Sequence, residues 1–414
     1  MKILTLNCGS SSLKFDVIHT TIEKMQRNED SSLVRGIIEK IGSNEAIVRF
    51  KTHHGHDSKV KMPVNDHKEA LKKIIEILTG DNPKILSSLE EIAGVGHRVV
   101  HGGETFTKSV VIDSAVKEEI VACSDFAPLH NPQNLIGIQV ASEFFPHIPH
   151  VAVFDTGFHH TMPNYSYIYP LPYNIYQKHR IRRYGFHGSS HRFVSKQAAE
   201  LLGIPSEKSK LITAHLGNGC SITAIRGGRS VDTSMGHTPL EGLMMGTRCG
   251  DIDPALILHI MNKEGLSIAE ADAMMNKKSG LLGISQLSND LREIEDARDK
   301  GHEMATLALD IFCYRLKKYI SSYMGVLGGA DALVFTGGIG ENSCIVRELA
   351  TKDLDFMGIK IDQSKNTMNN GVLGKYERPT DISASDAKVK TLVVPTNEEL
   401  VIARDTVLCI EKLL

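Results

Sequence analysis

The sequence predicts an α/β protein made of two related units, and three observations carry that prediction. Residues 211–225 (LITAHLGNGCSITAI) read as a strand, a Gly-Asn-Gly turn and a second strand. Residues 3–18 (ILTLNCGSSSLKFDVI) repeat the device, with a small polar turn from Asn7 to Ser12. In each half a further apolar run then ends in paired glycines, VGHRVVHGG over 95–103 and ALVFTGGIGEN over 332–342. The turns come in the same order in both halves, which points to an internal duplication whose glycine turns line a shared cleft. Gly217 and Gly219 are expected to allow positive φ and close backbone approach. A turn of that kind offers bare N–H groups to a polyphosphate, although alone it reads more readily as an ordinary hairpin.

At 414 residues, 41% hydrophobic and 23% charged, the composition is that of a soluble globular protein too long for one core. A net charge of -2 with no block of Lys or Arg argues against nucleic acid as a partner. The seven cysteines (8, 123, 220, 249, 313, 344 and 409) form no CxxC pair, which suits a reducing compartment. The apolar start breaks at Asn7, so no leader is expected, and no apolar run reaches about 18 residues, so no bilayer span or membrane partner is expected. The expected location is cytoplasmic.

Along the chain, Leu33 to Ile41 and Ala46 to Phe50 read as strands, followed by a polar connection from Lys51 to Lys61 that carries His53, His54 and His56. That triplet reads as solvated surface, with metal binding the weaker alternative. Asp66 to Leu78 has Ala70, Leu71, Ile74, Ile75 and Leu78 on one helical face. A helix follows Asp113, and another runs from an Asn131 cap with Pro132 in its first turn to Phe144. Val151 to Phe154 is a strand leading to Asp155. Asp155 to Tyr184 is aperiodic and reads as a domain crossing or active-site loop. The domain boundary falls here: 1–155 with 398–414 as an acceptor and metal-side domain, 156–397 as a nucleotide-binding domain. Ser189 to Leu202 and Pro254 to Met261 are helices, Asp290 to Met324 holds one or two, and a last helix from an Asn397 cap to Leu413 returns to the first domain.

Polar residues among glycines at strand ends are the catalytic candidates: His97-Arg98, His130, Asp155, His187 and Arg248. Taken singly, the arginines could be ion-pair partners and the histidines satisfied core residues. Together they suit in-line phosphoryl transfer, where catalysis is mainly positioning and charge neutralisation. No Walker motif and no protein-kinase HRD or DFG set occurs.

The runs NCGSSSLKF, GHRVVHGGE, APLHNP, FDTGFH, YGFHGSSH, HLGNGCSI, DTSMG, TPLEGLMMGTR, SNDLREIE, FTGGIGEN and TNEEL together resemble the acetokinase family along essentially the whole chain. Four positions depart from its pattern: Cys249 where Ser is usual, His237 where an apolar residue is usual, Leu291 for Phe and Gly157 for Ala. The resemblance implies duplicated ribonuclease-H-like domains of the actin, Hsp70 and sugar-kinase superfold with an interdomain cleft, a homodimer, and ATP-dependent formation of acetyl phosphate from acetate, reversible to ATP and acetate. By the same resemblance Asn7 and Glu398 hold Mg²⁺, with Mn²⁺ as an alternative. Lys14, His215, Leu216, Gly217, Asn218, Gly219, Asp290, Leu291, Arg292, Gly338, Ile339, Gly340, Glu341 and Asn342 bind ATP or ADP. Arg98 binds acetate, and Val100, Leu129, Phe186 and Pro239 wall the acetate pocket, each close in sequence to a catalytic candidate or turn. His187 and Arg248 stabilise the transition state with His130 nearby, and Asp155 is the proton donor or acceptor. Acetate is already ionised at pH 7, so a base has no proton to remove from it, and Asp155 is expected instead to orient Arg248 or a metal-bound water. The alternatives are a kinase for propionate or another short-chain carboxylate, and an ATP-gated machine of the same superfold.

Overall fold

The structure, a computed structural model, describes every residue except 82, 129, 368–377 and 414. Two compact units are present, Met1–Gly157 with Asn397–Leu414, and Phe158–Thr396. No helix among the described residues is long and apolar enough to cross a membrane.

The first unit holds the strands β1 (Lys2–Cys8), β2 (Ser12–His19), β3 (Ser31–Glu39), β4 (Ser43–Thr52), β5 (Asp57–Val64), β6 (Ile92–Val99), β7 (Val110–Val111) and β8 (His150–Phe154). They form one sheet in the order β5-β4-β3-β2-β1-β6-β8-β7. The second unit holds β9 (Lys210–Leu216), β10 (Cys220–Arg226), β11 (Arg229–Thr233), β12 (Ala332–Thr336), β13 (Thr380–Asp381) and β14 (Lys390–Val393), in the order β11-β10-β9-β12-β14-β13. Six strands therefore correspond one to one, β3-β2-β1-β6-β8-β7 with β11-β10-β9-β12-β14-β13. The directions agree as well. An antiparallel hairpin (β1–β2, β9–β10) lies beside two parallel strands (β6 and β8, β12 and β14), and a short antiparallel strand closes the edge. This is the duplicated ribonuclease-H-like arrangement, to which the first unit adds β4 and β5.

Alternation along β1 explains how the first sheet is covered. Leu4 and Leu6 pair with Val17 and Phe15 on one face, and there they pack with Ala70, Leu71, Ile74 and Leu78 of the helix His67–Thr79. That helix starts where the Asp66 carboxylate accepts the Glu69 N–H at 2.8 Å. Ile3 and Ile18 point the other way, onto Ala403 and Val407 of the last helix, Glu398–Ile410. The close seat of that helix depends on two glycines of β6. A Cβ at Gly94 would lie 2.6 Å from Ile410 Cδ1, and one at Gly96 would lie 2.4 Å from Thr406 Oγ1 and 2.6 Å from Ile402 Cγ2. The helix thus runs antiparallel to β6, and its first residue, Glu398, arrives at the end of β6 that carries Arg98.

Several local expectations change. Gly217 and Gly219 form the three-residue turn between β9 and β10, but neither takes positive φ; the turn uses their missing side chains, not their backbone freedom. Asn131 is the first residue of the helix Asn131–Phe144 and not its cap, which is His130. The buried Asn131 amide bonds instead to the His101 N–H and C=O, each at 3.0 Å. The connection 51–61 largely folds as a hairpin, because Asp57–Val64 pairs antiparallel with β4. The aperiodic crossing contains the helices Asn164–Tyr167 and Tyr173–His179. Finally, GGIGEN is itself a helical turn, Gly337–Asn342.

Candidate active site

In the first unit the functional side chains gather at the ends of β1, β6 and β8. Arg98 on β6 donates from Nε and Nη2 to the two carboxylate oxygens of Asp155, at 2.9 and 2.7 Å. Asp155 directly follows β8 and is 1% exposed. This fork-to-fork geometry is the strong form of an Arg–carboxylate pair. Burial works against the Arg98 charge, but Asp155 and then Glu398 outweigh it and hold Arg98 above its usual value. Within the first unit Asp155 therefore orients Arg98, a partner not named by the sequence-based expectation of Arg248 or a metal-bound water.

Glu398 carries the metal question. Its Oε1 is shut off from solvent and has no hydrogen-bond partner among the described residues. Burial raises its pKa, against the opposing pull of Arg98 and Lys14. A buried carboxylate oxygen without a donor is stabilised by a cation, so Glu398 fits a metal ligand. Asn7, near the end of β1, pairs in register with Lys14 of β2, which places those two candidates side by side on one face of the sheet. Among the described residues no group of three or more His, Cys, Asp or Glu forms a metal cage. A single carboxylate with an amide suits a hard divalent cation that keeps waters and substrate phosphates as its remaining ligands.

Asn134, which the sequence did not single out, ties these strand ends together. Its side chain accepts the Val100 N–H at 3.0 Å and donates to the Cys8 C=O at 2.9 Å. Val100 is buried. Leu129 lies outside the described residues. His130 caps the helix that presents Asn131 and Asn134. His97 is a core residue: it is buried, and its Nε2 lies 2.9 Å from His150 Nδ1.

The second unit builds its cluster on the β9–β10 turn. His187 caps the helix Gly188–Leu202 with a left-handed backbone, φ 56° and ψ 27°, a conformation that costs a non-glycine residue roughly 1 kcal/mol or more. Its ring is clamped. It stacks on His215 of β9 with centroids 4.3 Å apart, and its Nδ1 lies 2.9 Å from Ser221 Oγ. A Cβ at Gly219 would sit 3.6 Å from both His187 Cε1 and Arg248 Nη1, and 3.7 Å from His187 Nε2. The bare turn, the imidazole and the guanidinium thus converge on one spot.

Arg248 is held by a loop pinned at its base. Gly242 N–H donates to Asp251 Oδ1 at 2.8 Å, and Asp251 N–H donates to Gly242 O at 2.9 Å. Tyr319 donates to Asp251 Oδ2 at 2.6 Å. Among the described residues Arg248 itself donates to the Pro239 carbonyl, at 3.2 Å, and weakly to Met245 Sδ, at 3.8 Å. No carboxylate pairs with it among the described residues, and burial lowers its pKa. A half-buried guanidinium without a counter-ion is an anion site.

The remaining nucleotide-side candidates divide. Gly337, at φ 76°, packs on β9 so closely that a Cβ would lie 2.7 Å from Leu216 O, which brings Gly338–Asn342 beside His215–Gly219. Asn218 bonds to Asn289, next to Asp290, at 3.0 Å. Asp290 caps the helix Leu291–Asp299 and pairs with the exposed Arg292. Leu291, by contrast, is 5% exposed and packs inward. Glu341 turns back to the start of its own helix and to Thr396, accepting the Gly337 and Thr396 N–H groups at 3.0 Å each. Phe186 is buried, with its carbonyl 2.9 Å from His159 Nε2.

A profile of the Acetokinase family matches residues 2–404. The chain belongs to the acetokinase family. It is 50% identical over 413 residues to the acetate kinase of Acetivibrio thermocellus, covering all of both chains. It is 51% identical over 406 residues to that of Methanosarcina thermophila, covering 98% of this chain and 96% of the other. Among solved structures, Porphyromonas gingivalis acetate kinase superposes with a TM-score of 0.90 at 45% identity, with 99% of each chain covered. A propionate kinase from Francisella tularensis superposes with a TM-score of 0.88 at 44% identity, with 98% of each covered. As a member of this family the chain is a kinase that transfers a phosphoryl group from ATP to a carboxylate.

The departures from the acetokinase pattern are locally accommodated. At Gly157 a Cβ would meet Thr107 O at an ordinary 3.5 Å, so the usual alanine would also fit. His237 places Nδ1 3.2 Å from the Arg182 carbonyl, and burial keeps its pKa down. Cys249 Sγ donates to Gly250 O at 3.2 Å, within the loop that carries Arg248.

Proposed function

We propose that the chain phosphorylates acetate with ATP, reversibly, giving acetyl phosphate and ADP by direct in-line transfer. The observation that carries this reading is the uncompensated guanidinium of Arg248 beside His187 and the bare Gly219. Such a site is pre-organised for negative charge spread over the oxygens of a transferring phosphoryl group. A carboxylate oxygen of acetate attacks the γ-phosphorus as the bond to the β–γ bridging oxygen breaks, and that electron pair leaves on ADP. Arg98, oriented by Asp155, binds the acetate carboxylate through its remaining N–H groups. No proton is removed, so Asp155 serves as an orienting group. Asn7 and Glu398 hold Mg²⁺, which neutralises charge on the phosphate oxygens when bound. His215–Gly219, Gly338–Asn342, Asp290, Arg292 and Lys14 serve the nucleotide. The first unit is thus the acceptor and metal side, and the second the nucleotide side.

Acyl phosphate trapped as hydroxamate in the presence of Mg-ATP tests the reading directly. Acetate-dependent hydroxamate is expected, and ATP hydrolysis indifferent to acetate would overturn it. Propionate should be a poor substrate but not a dead one, because apolar pockets discriminate by about 10 to 200-fold per methylene. Val100→Ala is expected to raise the propionate-to-acetate ratio of kcat/KM several-fold. An unchanged ratio in a folded variant would remove Val100 from the pocket.

A homodimer is proposed with a face on the second unit. The helix Pro254–Glu264 has no buried residue, and Leu258 and the nearby Ile268 are 71% and 81% exposed. A second copy covering this apolar face accounts for both. Sedimentation should give a dimer that Leu258→Glu with Ile268→Glu dissociates; a dimer indifferent to both changes would place the interface elsewhere. The cytoplasm is the proposed location, as seven thiols without a disulfide suit a reducing compartment.

A further inference from the structure

We propose that Ser221 and His191 are positioning residues for His187: one hydroxyl shared by two imidazoles keeps the His187 ring in place and lets its Nε2 carry a proton in either charge state. The proposal rests on the role assigned to His187 above and extends it to two residues outside the proposed set.

The geometry is a buried chain of four groups. The helix Gly188–Leu202 puts His191 one turn after His187, on the same face. His191 Nε2 lies 2.7 Å from Ser221 Oγ, and its Nδ1 lies 2.7 Å from Thr213 Oγ1. Ser221 Oγ is in turn 2.9 Å from His187 Nδ1. His191, Ser221 and Thr213 are completely buried, and burial drives the His191 pKa well down, so this ring is neutral and has one N–H.

Counting protons leaves three settings. In one of them a neutral His187 donates from Nδ1 to Ser221, Ser221 to His191 Nε2 and His191 from Nδ1 to Thr213. That setting strips His187 Nε2 of its proton and leaves the buried Thr213 hydroxyl proton without an acceptor among the described residues. The other two put a proton on His187 Nε2. In the first of these, His191 donates from Nε2 to Ser221 and accepts from the Thr213 hydroxyl at Nδ1. Ser221 then donates to His187 Nδ1, and a neutral His187 carries its proton on Nε2. In the second, His187 is charged and donates from Nδ1 to Ser221. The serine hydroxyl swings to His191 Nε2, and His191 donates from Nδ1 to Thr213. The first satisfies every buried donor and acceptor of the chain, which is the condition for a buried polar network to stabilise a unique arrangement. The second leaves the Thr213 hydroxyl proton without an acceptor among the described residues, a cost that arises, of these two, only when His187 is charged. In both, the Nε2 edge beside Gly219 and Arg248 Nη1 is a donor. Developing charge on a phosphoryl oxygen needs such a donor, held without reorganisation. The stack of His187 on His215 fixes the ring plane, and the serine fixes its rotation within that plane.

A double-mutant cycle tests the assignment. Ser221→Ala is expected to lower kcat by about 10- to 100-fold, with the KM values for Mg-ATP and acetate changed less than threefold, because the lost alignment matters most in the transition state. In a His187→Ala background the same change should cost almost nothing further. The ¹⁵N imidazole shifts of His187 in the Mg-ADP complex should show a protonated Nε2 in the unsubstituted enzyme and exchange-averaged nitrogens in Ser221→Ala. If Ser221→Ala does not fold, the nearly isosteric Ser221→Cys keeps the packing with weaker hydrogen bonds and should give the same pattern at smaller amplitude. Equal losses from the serine change with and without His187 overturn the proposal and leave the role of His187 intact. Full kcat in His187→Ala alone would bring down that role, and the positioning pair with it.

Discussion

Replacing Arg248 by alanine is expected to cut kcat by about 10³-fold or more while the KM for Mg-ATP moves only a few-fold, since cations aimed at a transferring phosphoryl group act chiefly in the transition state. The structure gives three reasons to expect an effect of this size. The guanidinium has no carboxylate among the described residues to share its charge. Its loop is locked at the base by the reciprocal Gly242–Asp251 bonds, so the side chain approaches its target with little left to order. It also shares the space in front of Gly219 with His187. Steady-state kinetics decide the matter: a kcat within tenfold of the unsubstituted enzyme would make Arg248 a structural residue. Arg248→Lys keeps the charge but not the planar fork, and should recover only a small part of the rate.

Arg98→Ala is expected to act on the acceptor and on the fold together. Removing one partner of a largely buried ion pair typically costs about 3–5 kcal/mol, and here it leaves the Asp155 carboxylate, 1% exposed, without its two donors. Arg98 is about a fifth exposed, so the lower end of that range applies. The KM for acetate should rise steeply at saturating Mg-ATP, with the KM for ATP little changed. Arg98→Lys should fail to restore it, because an ammonium cannot span both oxygens of Asp155 and still face a ligand. Denaturant unfolding and acetate titration separate the two consequences. An unchanged acetate KM in a folded Arg98→Ala would remove Arg98 from the acceptor site.

Hairpins, glycine-ended strands and their repeated order were legible because turn chemistry and the twofold alternation of strands are local signals. They carried the correct pairing of β1 with β2 and of β9 with β10. The edge strands β7 and β13 and the short β14 beside β13 were missed: at two to four residues they are too short to show a period, and the sheet beside them decides their state. The hairpin through Asp57–Val64 was read as loop because its outward residues are charged. Arg98, Asp155, His187 and Arg248 stood out as polar residues beside glycines. Whether each arginine was balanced did not, since the partner of Arg98 is 57 residues away and Arg248 has no carboxylate partner among the described residues. The spacing of His187 and His191 by one helical turn could have drawn attention to His191. Nothing local marks Asn134, whose two bonds reach Val100 and Cys8.

The seat of the last helix on Gly94 and Gly96 bears on how the chain is made. Ile3, Ile18 and the two bare glycines form a face covered by the helix Glu398–Ile410, with Ile22 and Met25 packed at its side, yet the ribosome must first produce all of Phe158–Thr396. At about 5–20 residues per second that interval is on the order of ten to fifty seconds. Through it the nascent first unit displays an apolar sheet face without that helix, while Arg98 and Asp155 lack the carboxylate that Glu398 brings. The first unit is thus begun before the second and completed after it, and Glu398, its proposed metal ligand, arrives only once residues 158–396 have been made.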